Sequence, residues 1–209
     1  MEPQFLFALL VLLFSVVIHE VSHGFAALFL GDRTAEYEGR LTLNPIKHID
    51  PIGTIVFPFI SMLIGGFIFG WAKPVPYNPY NLRNRRWGEA IVAFAGPLSN
   101  IILALIFGLF MRFYLLPQGM ALDPIGIICM TIVIVNIALA IFNLVPVPPL
   151  DGSKILTAFL PANALKARQA IERLGFFGVL IFIFLFWRFF APVIPWAFTL
   201  ITGASFGSL

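Results

Sequence analysis

Residues 5–30, FLFALLVLLFSVVIHEVSHGFAALFL, form one long apolar run with a dense polar interruption. The run is long enough for a helix across a bilayer, which needs about 20 mainly apolar residues. The interruption, HEVSH at residues 19–23, puts two imidazoles and a carboxylate well inside that helix. Ionisable groups at membrane depth are costly and need a partner. The stretch therefore predicts a transmembrane helix that carries a functional site.

The whole chain has the composition of an integral membrane protein. Of its 209 residues, 60% are hydrophobic and 11% are charged, whereas a typical soluble domain has about 25% charged residues. The apolar content excludes a disordered chain, and the single cysteine, Cys129, excludes an intrachain disulfide. The net charge is +3 without a large basic cluster, so we expect the lipid bilayer and no nucleic acid as a partner.

Further apolar runs predict an all-α polytopic membrane protein with five to six transmembrane helices. Residues 34–43 alternate between polar and apolar side chains, which predicts a small β-strand after the first helix. The run at residues 52–72 either crosses the membrane or re-enters it. The candidate spans are residues 5–30, 52–72, 87–116, 124–145 and 176–201, with a short apolar piece at 155–160.

The HEVSH stretch matches H-E-x-x-H, in which two histidines on a helix bind zinc and the glutamate acts as a base. His19 and His23 lie one turn apart on the same helix face, so both imidazoles can reach one Zn²⁺. Glu20 is adjacent to a ligand and close enough to take a proton from a bound water. The alternative is that the histidines line a pore or pack between helices, with Glu20 paired to a cation elsewhere.

A catalytic zinc site has three protein ligands and one open position. The remaining histidine, His48, lies in a polar connection, and residue 29 is Phe where the extended motif has a third histidine. Asp151 differs from the other carboxylates because it follows an apolar run and three prolines, which prevent a regular helix. Irregular backbone at membrane depth is tolerated only where it lines protein or a wet cavity. The third ligand is thus His48 or a carboxylate, Asp151 before the others. Those others are Asp32, Glu36, Glu38, Asp50, Glu89, Asp123 and Glu172.

Four motifs together resemble the site-2 protease family of intramembrane zinc metalloproteases. HEVSH at 19–23 and NLVPVPPLDG at 143–152 carry the resemblance. NPIKHIDPIG at 44–53 and AGPLSN at 95–100 match stretches common in its compact prokaryotic members. The resemblance covers about residues 5–160, with the motifs in the expected order.

The resemblance implies a set of roles for individual residues. His19, His23 and Asp151 would hold one Zn²⁺ per chain, and Glu20 would be the catalytic residue. Asn143 would help to hold the substrate or the oxyanion, although a helix-end cap or an interhelical hydrogen bond explains it equally well. Two further residues are expected to support the site or the fold without binding metal, namely His48 and Asn100.

The expected organisation is a single transmembrane metalloprotease domain over residues 1–209. It comprises a catalytic core at about 5–160 and a C-terminal amphipathic segment with a last helix at about 161–209. The family's larger members add PDZ or CBS domains, for which this chain has no room. The resemblance also places the protein in a prokaryotic cell membrane.

The predicted function is an intramembrane endopeptidase that cleaves within or next to transmembrane segments of membrane proteins, in regulated intramembrane proteolysis. A helical substrate must unwind, and residues 34–43 or 71–76 could bind it as a strand edge. The alternative is a metal or proton transporter that uses the same His/Glu/Asp cluster. A glutamate beside a ligand and the lack of an internal repeat favour the protease, and the sequence leaves the oligomeric state open.

Overall fold

A computed structural model describes residues 3–56, 72–84, 87–161 and 191–206, and the single residues 164, 175, 178 and 188. All regular structure in this part of the chain is helical. The α-helices are α1 Pro3–Phe29, α2 Thr34–Tyr37, α3 Gly88–Phe110, α4 Pro124–Asn143, α5 Asp151–Phe159 and α6 Val193–Thr202. The 3₁₀-helices are Pro45–His48, Pro79–Asn81 and Leu116–Gln118, and the π-helices are Pro51–Val56 and Met111–Leu115.

Three helical stretches among the described residues are long and apolar enough to cross a membrane. They are Leu6–Phe29, Gly88–Gln118 and Pro124–Asn143, and each coincides with a predicted run. The all-α prediction is therefore confirmed. The predicted count of five to six spans is not confirmed, because residues 57–71 and most of residues 176–190 lie outside the described residues.

The predicted β-strand at residues 34–43 is wrong. Thr34–Tyr37 is instead the single turn α2, and the backbone N–H groups of residues 37–40 donate to the carbonyls of residues 33–36. Gly39 has a left-handed φ of 61°. A strand must pair its polar backbone with a neighbour, whereas this segment pairs its backbone locally. Alternation of polar and apolar side chains does not reveal whether a neighbouring strand exists.

Two stripes of residues join α1 to α3, each with its members four residues apart. A hydrogen bond links His23 of α1 to Val92 of α3, and another links Ser15 of α1 to Asn100 of α3. The two helices therefore run antiparallel. The stripes consist of Ser15, His19 and His23 on α1 and of Val92, Gly96 and Asn100 on α3.

An apolar core lies where α3, α4 and α6 meet. Met111 and Phe198 are fully buried there, and Val133 of α4 lies between helices in the same cluster. In a bilayer, lipid tails are as apolar as these side chains, so packing stabilises such a core through dispersion contacts rather than through removal from water. The core fixes α3 against α4 independently of the polar stripes.

Residues 72–84, here called the connecting segment, lie along the C-terminal half of α1. The Lys73 N–H donates to the His48 carbonyl at 2.9 Å. The buried Arg40 guanidinium donates to the carbonyls of Lys73 and Pro74 at 2.9 and 3.1 Å. These bonds hold the start of the segment in place beside α1.

Asp32, fully buried just after α1, anchors the next part of the connecting segment. Its carboxylate accepts hydrogen bonds from the Thr34 hydroxyl at 2.6 Å, the Thr34 N–H at 3.2 Å, the Asn78 N–H at 2.7 Å and the Asn81 amide at 2.9 Å. Burial alone raises the pKa of Asp32, but the hydrogen bonds outweigh burial and hold this pKa below its ordinary value. The charged carboxylate is therefore part of the folded structure.

Asp32→Ala is expected to lower the free energy of unfolding by about 2–4 kcal/mol, because each buried donor left unpaired costs about 1–3 kcal/mol. The pKa of Asp32 is lower in the folded chain, so its stabilisation is present above the unfolded-state pKa of about 4 and is lost as the pH falls through the folded pKa. Denaturant unfolding in detergent at pH 7 and at lower pH measures both effects. Glu38→Ala, an exposed carboxylate on the same connection, should change stability little, and an equal effect of the two variants would contradict the prediction.

Candidate metal centre

Three side chains from distant parts of the sequence meet at one point. His19 and His23 belong to α1, and Asp151 is the first residue of α5. The Nε2 atoms of His19 and His23 lie 3.0 and 3.2 Å from the same carboxylate oxygen, Asp151 Oδ2. All three residues are buried. The fold thus brings two imidazoles together with a carboxylate from a distant part of the chain, since His19 and Asp151 are 132 residues apart in sequence.

This donor set fits a zinc ion. Imidazole nitrogens and a carboxylate oxygen are ordinary zinc ligands, and two such atoms on a tetrahedral ion lie about 3.3 Å apart. The observed separations of 3.0 and 3.2 Å are close to that distance. Three protein ligands also leave the fourth position open, as a catalytic zinc site requires.

The second ring nitrogen of each histidine is bonded to α3. His23 Nδ1 donates to the Val92 carbonyl at 2.7 Å, and His19 Nδ1 contacts Asn100 Oδ1 at 2.6 Å. A carbonyl can only accept, so the proton of neutral His23 is on Nδ1 and the Nε2 lone pair is available. Such bonds on the far side of the ring orient a metal-binding histidine.

Glu20 lies beside the cluster on α1 and is half-buried. Its Oε2 atom accepts a hydrogen bond from the Val75 N–H at 2.8 Å. The connecting segment thus fixes the position of the carboxylate next to the two histidines. A carboxylate in this position can exchange a proton with a group bound at the open ligand position.

Irregular backbone precedes Asp151 and leads into the first turn of α5. Residues 144–150 form turns between α4 and α5 and include the cis peptide bond Pro148–Pro149. Gly152 lies against the Leu144 carbonyl so closely that a Cβ atom would not fit. As the sequence predicts, α4 ends before the proline-rich stretch and does not continue to Asp151. The start of α5 then packs against the backbone that follows α4, at Leu144.

Comparison with known proteins gives the family. The model of peptidase family M50 matches residues 7–125 and 118–186. The chain belongs to peptidase family M50, the site-2 protease family. It is 38% identical over 183 residues to "Putative zinc metalloprotease YwhC" of Bacillus subtilis, an alignment that covers 84% of this chain and 78% of that protein.

A second M50 relative is "Putative zinc metalloprotease Rip2" of Mycolicibacterium smegmatis, which is 29% identical over 190 residues, covering 89% of this chain and 70% of that protein. No solved structure gives a significant match. The resemblance read from the sequence motifs is confirmed, and the chain is a zinc metalloprotease.

In this M50 protein the absence of a side chain at Gly96 leaves room for the two imidazoles. A Cβ atom at residue 96 would lie 2.5 Å from His23 Nε2 and 2.6 Å from His19 Nε2. Only glycine therefore lets α3 pass this close to the nitrogens that face the metal position. No role for Gly96 is predicted from the sequence, although a glycine inside a helix costs about 0.8–1.0 kcal/mol relative to alanine and can signal a close approach.

The other predicted site residues lie outside the ligand cluster. His48 is buried in the 3₁₀-helix Pro45–His48, and its Nε2 contacts the Thr42 carbonyl at 2.9 Å. Asn143, the last residue of α4, donates to the Leu139 carbonyl at 3.0 Å. Both bonds stabilise local structure, so the substrate-binding role of Asn143 stays a prediction.

The other described candidates for the third ligand do not join the cluster. Among the described carboxylates, Asp151 alone groups with His19 and His23, while Glu172 lies outside the described residues. Neither the Val75 N–H nor the Val92 carbonyl is predicted from the sequence to support the site. No residue type marks a backbone donor or acceptor in a sequence.

Gly96→Ala is expected to abolish zinc binding without unfolding the chain, because the added methyl group would occupy the space of the ligand nitrogens while alanine favours the helix. Zinc content after purification and thermal unfolding in detergent would be measured together. Gly108→Ala on the same helix is the matched control, because its Cβ would meet the Ile201 side chain rather than a histidine. Normal zinc content in Gly96→Ala would contradict the proposed position of the metal.

Proposed function

We propose that the chain is an intramembrane endopeptidase that hydrolyses peptide bonds within or next to transmembrane segments of membrane proteins. The observation that carries this proposal is the location of His19, Glu20 and His23 on Leu6–Phe29, a stretch long and apolar enough to span a bilayer. A catalytic group on a spanning helix acts at membrane depth. The substrate must therefore bring a peptide bond to that depth, which membrane-spanning or membrane-tethered proteins do.

The residues of the cluster have separate roles in this proposal. His19, His23 and Asp151 hold one Zn²⁺, which when bound polarises the scissile carbonyl and makes water a nucleophile near neutral pH. Glu20 takes the proton of the attacking water and passes it to the leaving amine. Val75 holds the Glu20 carboxylate in place for both transfers.

Substrate binding requires local unwinding, because a helix hides its carbonyls in hydrogen bonds. Residues 34–43 offer no strand edge for this. In the connecting segment, the N–H and carbonyl of Lys73, the carbonyl of Pro74 and the N–H of Val75 are already bonded. A substrate that adds as a strand at this position would have to replace at least one of these bonds, and displacement of the Val75 bond would act directly on Glu20.

The membrane location and a substrate contact complete the proposed function. We propose a multi-pass location in a prokaryotic cell membrane, which agrees with the bacterial source of the two relatives named above. We also propose that Asn143 binds the substrate backbone or the oxyanion. This half-buried side chain lies at the end of α4, shortly before the turns that lead to Asp151.

Glu20→Gln is expected to retain zinc and to lose cleavage by about 10²–10⁴-fold, because the amide keeps the shape of the side chain but cannot accept a proton. The measurement uses proteoliposomes that contain the chain and a tethered membrane-protein substrate. Glu38→Gln, on the exposed connection after α2, serves as the control with unchanged cleavage. Cleavage that survives in Glu20→Gln would refute Glu20 as the base. Zinc transport by wild type across sealed vesicles, without cleavage, would favour a transporter.

Asp151→Ala is expected to lose most of its zinc on dialysis. Removal of a ligand should lower the zinc affinity by more than the 10–100-fold that is typical when a residue that orients a ligand is removed. His48→Ala should keep its zinc, although it leaves the Thr42 carbonyl without its buried partner and lowers stability. Metal analysis of both purified variants decides the point. Loss of zinc in His48→Ala with retention in Asp151→Ala would identify His48 as the third ligand.

A further inference from the structure

A buried polar network lies behind His19, on the side of its Nδ1 atom. It consists of Ser15 on α1, Asn100 on α3 and Asn136 on α4, which are 4%, 0% and 0% exposed. We infer that Asn136 is a positioning residue: it orients the Asn100 amide, which sets the tautomer of His19 and presents the Nε2 lone pair to the metal. The inference rests on the metal site of the proposed function.

The orientation of the Asn136 amide is fixed by its surroundings. One end of the amide lies 2.9 Å from the Ile132 carbonyl and 2.9 Å from the Ser15 hydroxyl. The Ile132 carbonyl can only accept a hydrogen bond, so the NH₂ group of Asn136 must face it. The carbonyl oxygen, Oδ1, then points in the other direction, toward Asn100.

The orientation of the Asn136 amide determines that of Asn100, and through Asn100 the tautomer of His19. Asn136 Oδ1 can only accept, so the Asn100 atom 2.8 Å away must be the NH₂ group. That group also faces the Ser15 backbone carbonyl at 3.4 Å, which requires the same orientation. Asn100 Oδ1 therefore faces His19 Nδ1 at 2.6 Å and accepts its proton. In neutral His19, Nε2 is left without a proton and with its lone pair toward Asp151.

Reversal of this arrangement is unfavourable at every step. If the Asn100 amide were flipped, its NH₂ group would face His19 Nδ1, and the proton of His19 would move to Nε2, where it would block metal binding. The flip would also turn the Asn100 oxygen toward Asn136 Oδ1 and the Ser15 backbone carbonyl, so that acceptors would face each other. With these residues almost inaccessible to solvent, little water is at hand to satisfy the mismatched groups.

His23 provides an internal reference because its tautomer is set differently. Its Nδ1 atom donates to the Val92 backbone carbonyl at 2.7 Å, an acceptor that cannot flip. Changes at Asn136 should therefore affect His19 and leave His23 unchanged. A simple loosening of the helix bundle would instead affect both rings.

The test is zinc affinity, measured by competition with a chelator in the detergent-solubilised chain. Asn136→Leu keeps the approximate size of the side chain but removes the groups that orient Asn100, and it should weaken zinc binding about 10–100-fold. Thr131→Val is the matched control on α4, because it removes a half-buried hydroxyl that donates to the Ile127 carbonyl of its own helix. Unchanged affinity in folded Asn136→Leu, or equal losses in both variants, would overturn the inference.

A second background separates the tautomer from packing. In Asn100→Asp both carboxylate oxygens accept, so His19 Nδ1 meets an acceptor in either orientation. Adding Asn136→Leu to this variant should cause no further loss of zinc affinity. A loss as large as in the wild-type background would show that Asn136 acts through packing, and would refute its role in orienting Asn100.

Nitrogen-15 labelling of the three histidines gives a spectroscopic signature. In the zinc-loaded wild type, His19 and His23 should each show a hydrogen-bonded Nδ1–H, and in Asn136→Leu the signal of His19 alone should weaken. Failure of the proposed protease function can be distinguished from failure of this inference. If the wild type binds zinc with these properties but cleaves no substrate, the protease function is refuted and the role of Asn136 stands. A wild type whose zinc affinity is the same as that of a His19→Ala variant would refute the metal site and the inference together.

Discussion

The packing of α1 against α3 depends on one constraint, the cost of burying two imidazoles and a carboxylate among apolar helices. Polar groups at membrane depth must find partners within the protein. Each histidine has two ring nitrogens, of which one faces Asp151 and the other faces α3. The helix α3 must therefore come close enough to reach both rings, and Gly96 permits that approach because it has no side chain. The local helix geometry follows from the demands of the site.

The parts of the site that lie close together in sequence could be predicted from it. The spacing of His19 and His23 places both on one helix face, and the prolines before Asp151 indicate a broken backbone. The partners of these residues could not be predicted in the same way, because His19 and Asn100 are 81 residues apart, and Ser15 and Asn136 are 121 apart. Residues that meet only through helix packing leave no pattern within one segment, and a backbone group such as the Val75 N–H leaves none at all.

The error at residues 34–43 has the same origin. Alternating side chains predict a strand only if another strand lies beside it, and that neighbour is a property of the tertiary fold. In its absence the backbone closes on itself in α2, and the buried Asp32 carboxylate accepts the N–H and hydroxyl of Thr34, where the helical turn begins. Apolar runs of 20 or more residues are more reliable, since a helix in lipid satisfies its backbone internally and needs no neighbour to form. All three spans among the described residues are of this kind.

The polar network around Asn136 joins α1, α3 and α4, the three long apolar helices among the described residues, and we infer that it also orients a ligand. Asn100 contacts His19 between α3 and α1, Asn136 contacts Asn100 between α4 and α3, and Ser15 contacts Asn136 between α1 and α4. Apolar side chains of the same size could hold three helices together through dispersion contacts, as they do around Phe198 and Met111. They could not specify which nitrogen of His19 carries the proton. A network that joined helices alone would be replaceable by such a core, whereas a network that also sets a tautomer must keep its donors and acceptors in a fixed order. The order observed here starts at the backbone carbonyl of Ile132 and ends at the metal-facing nitrogen of His19.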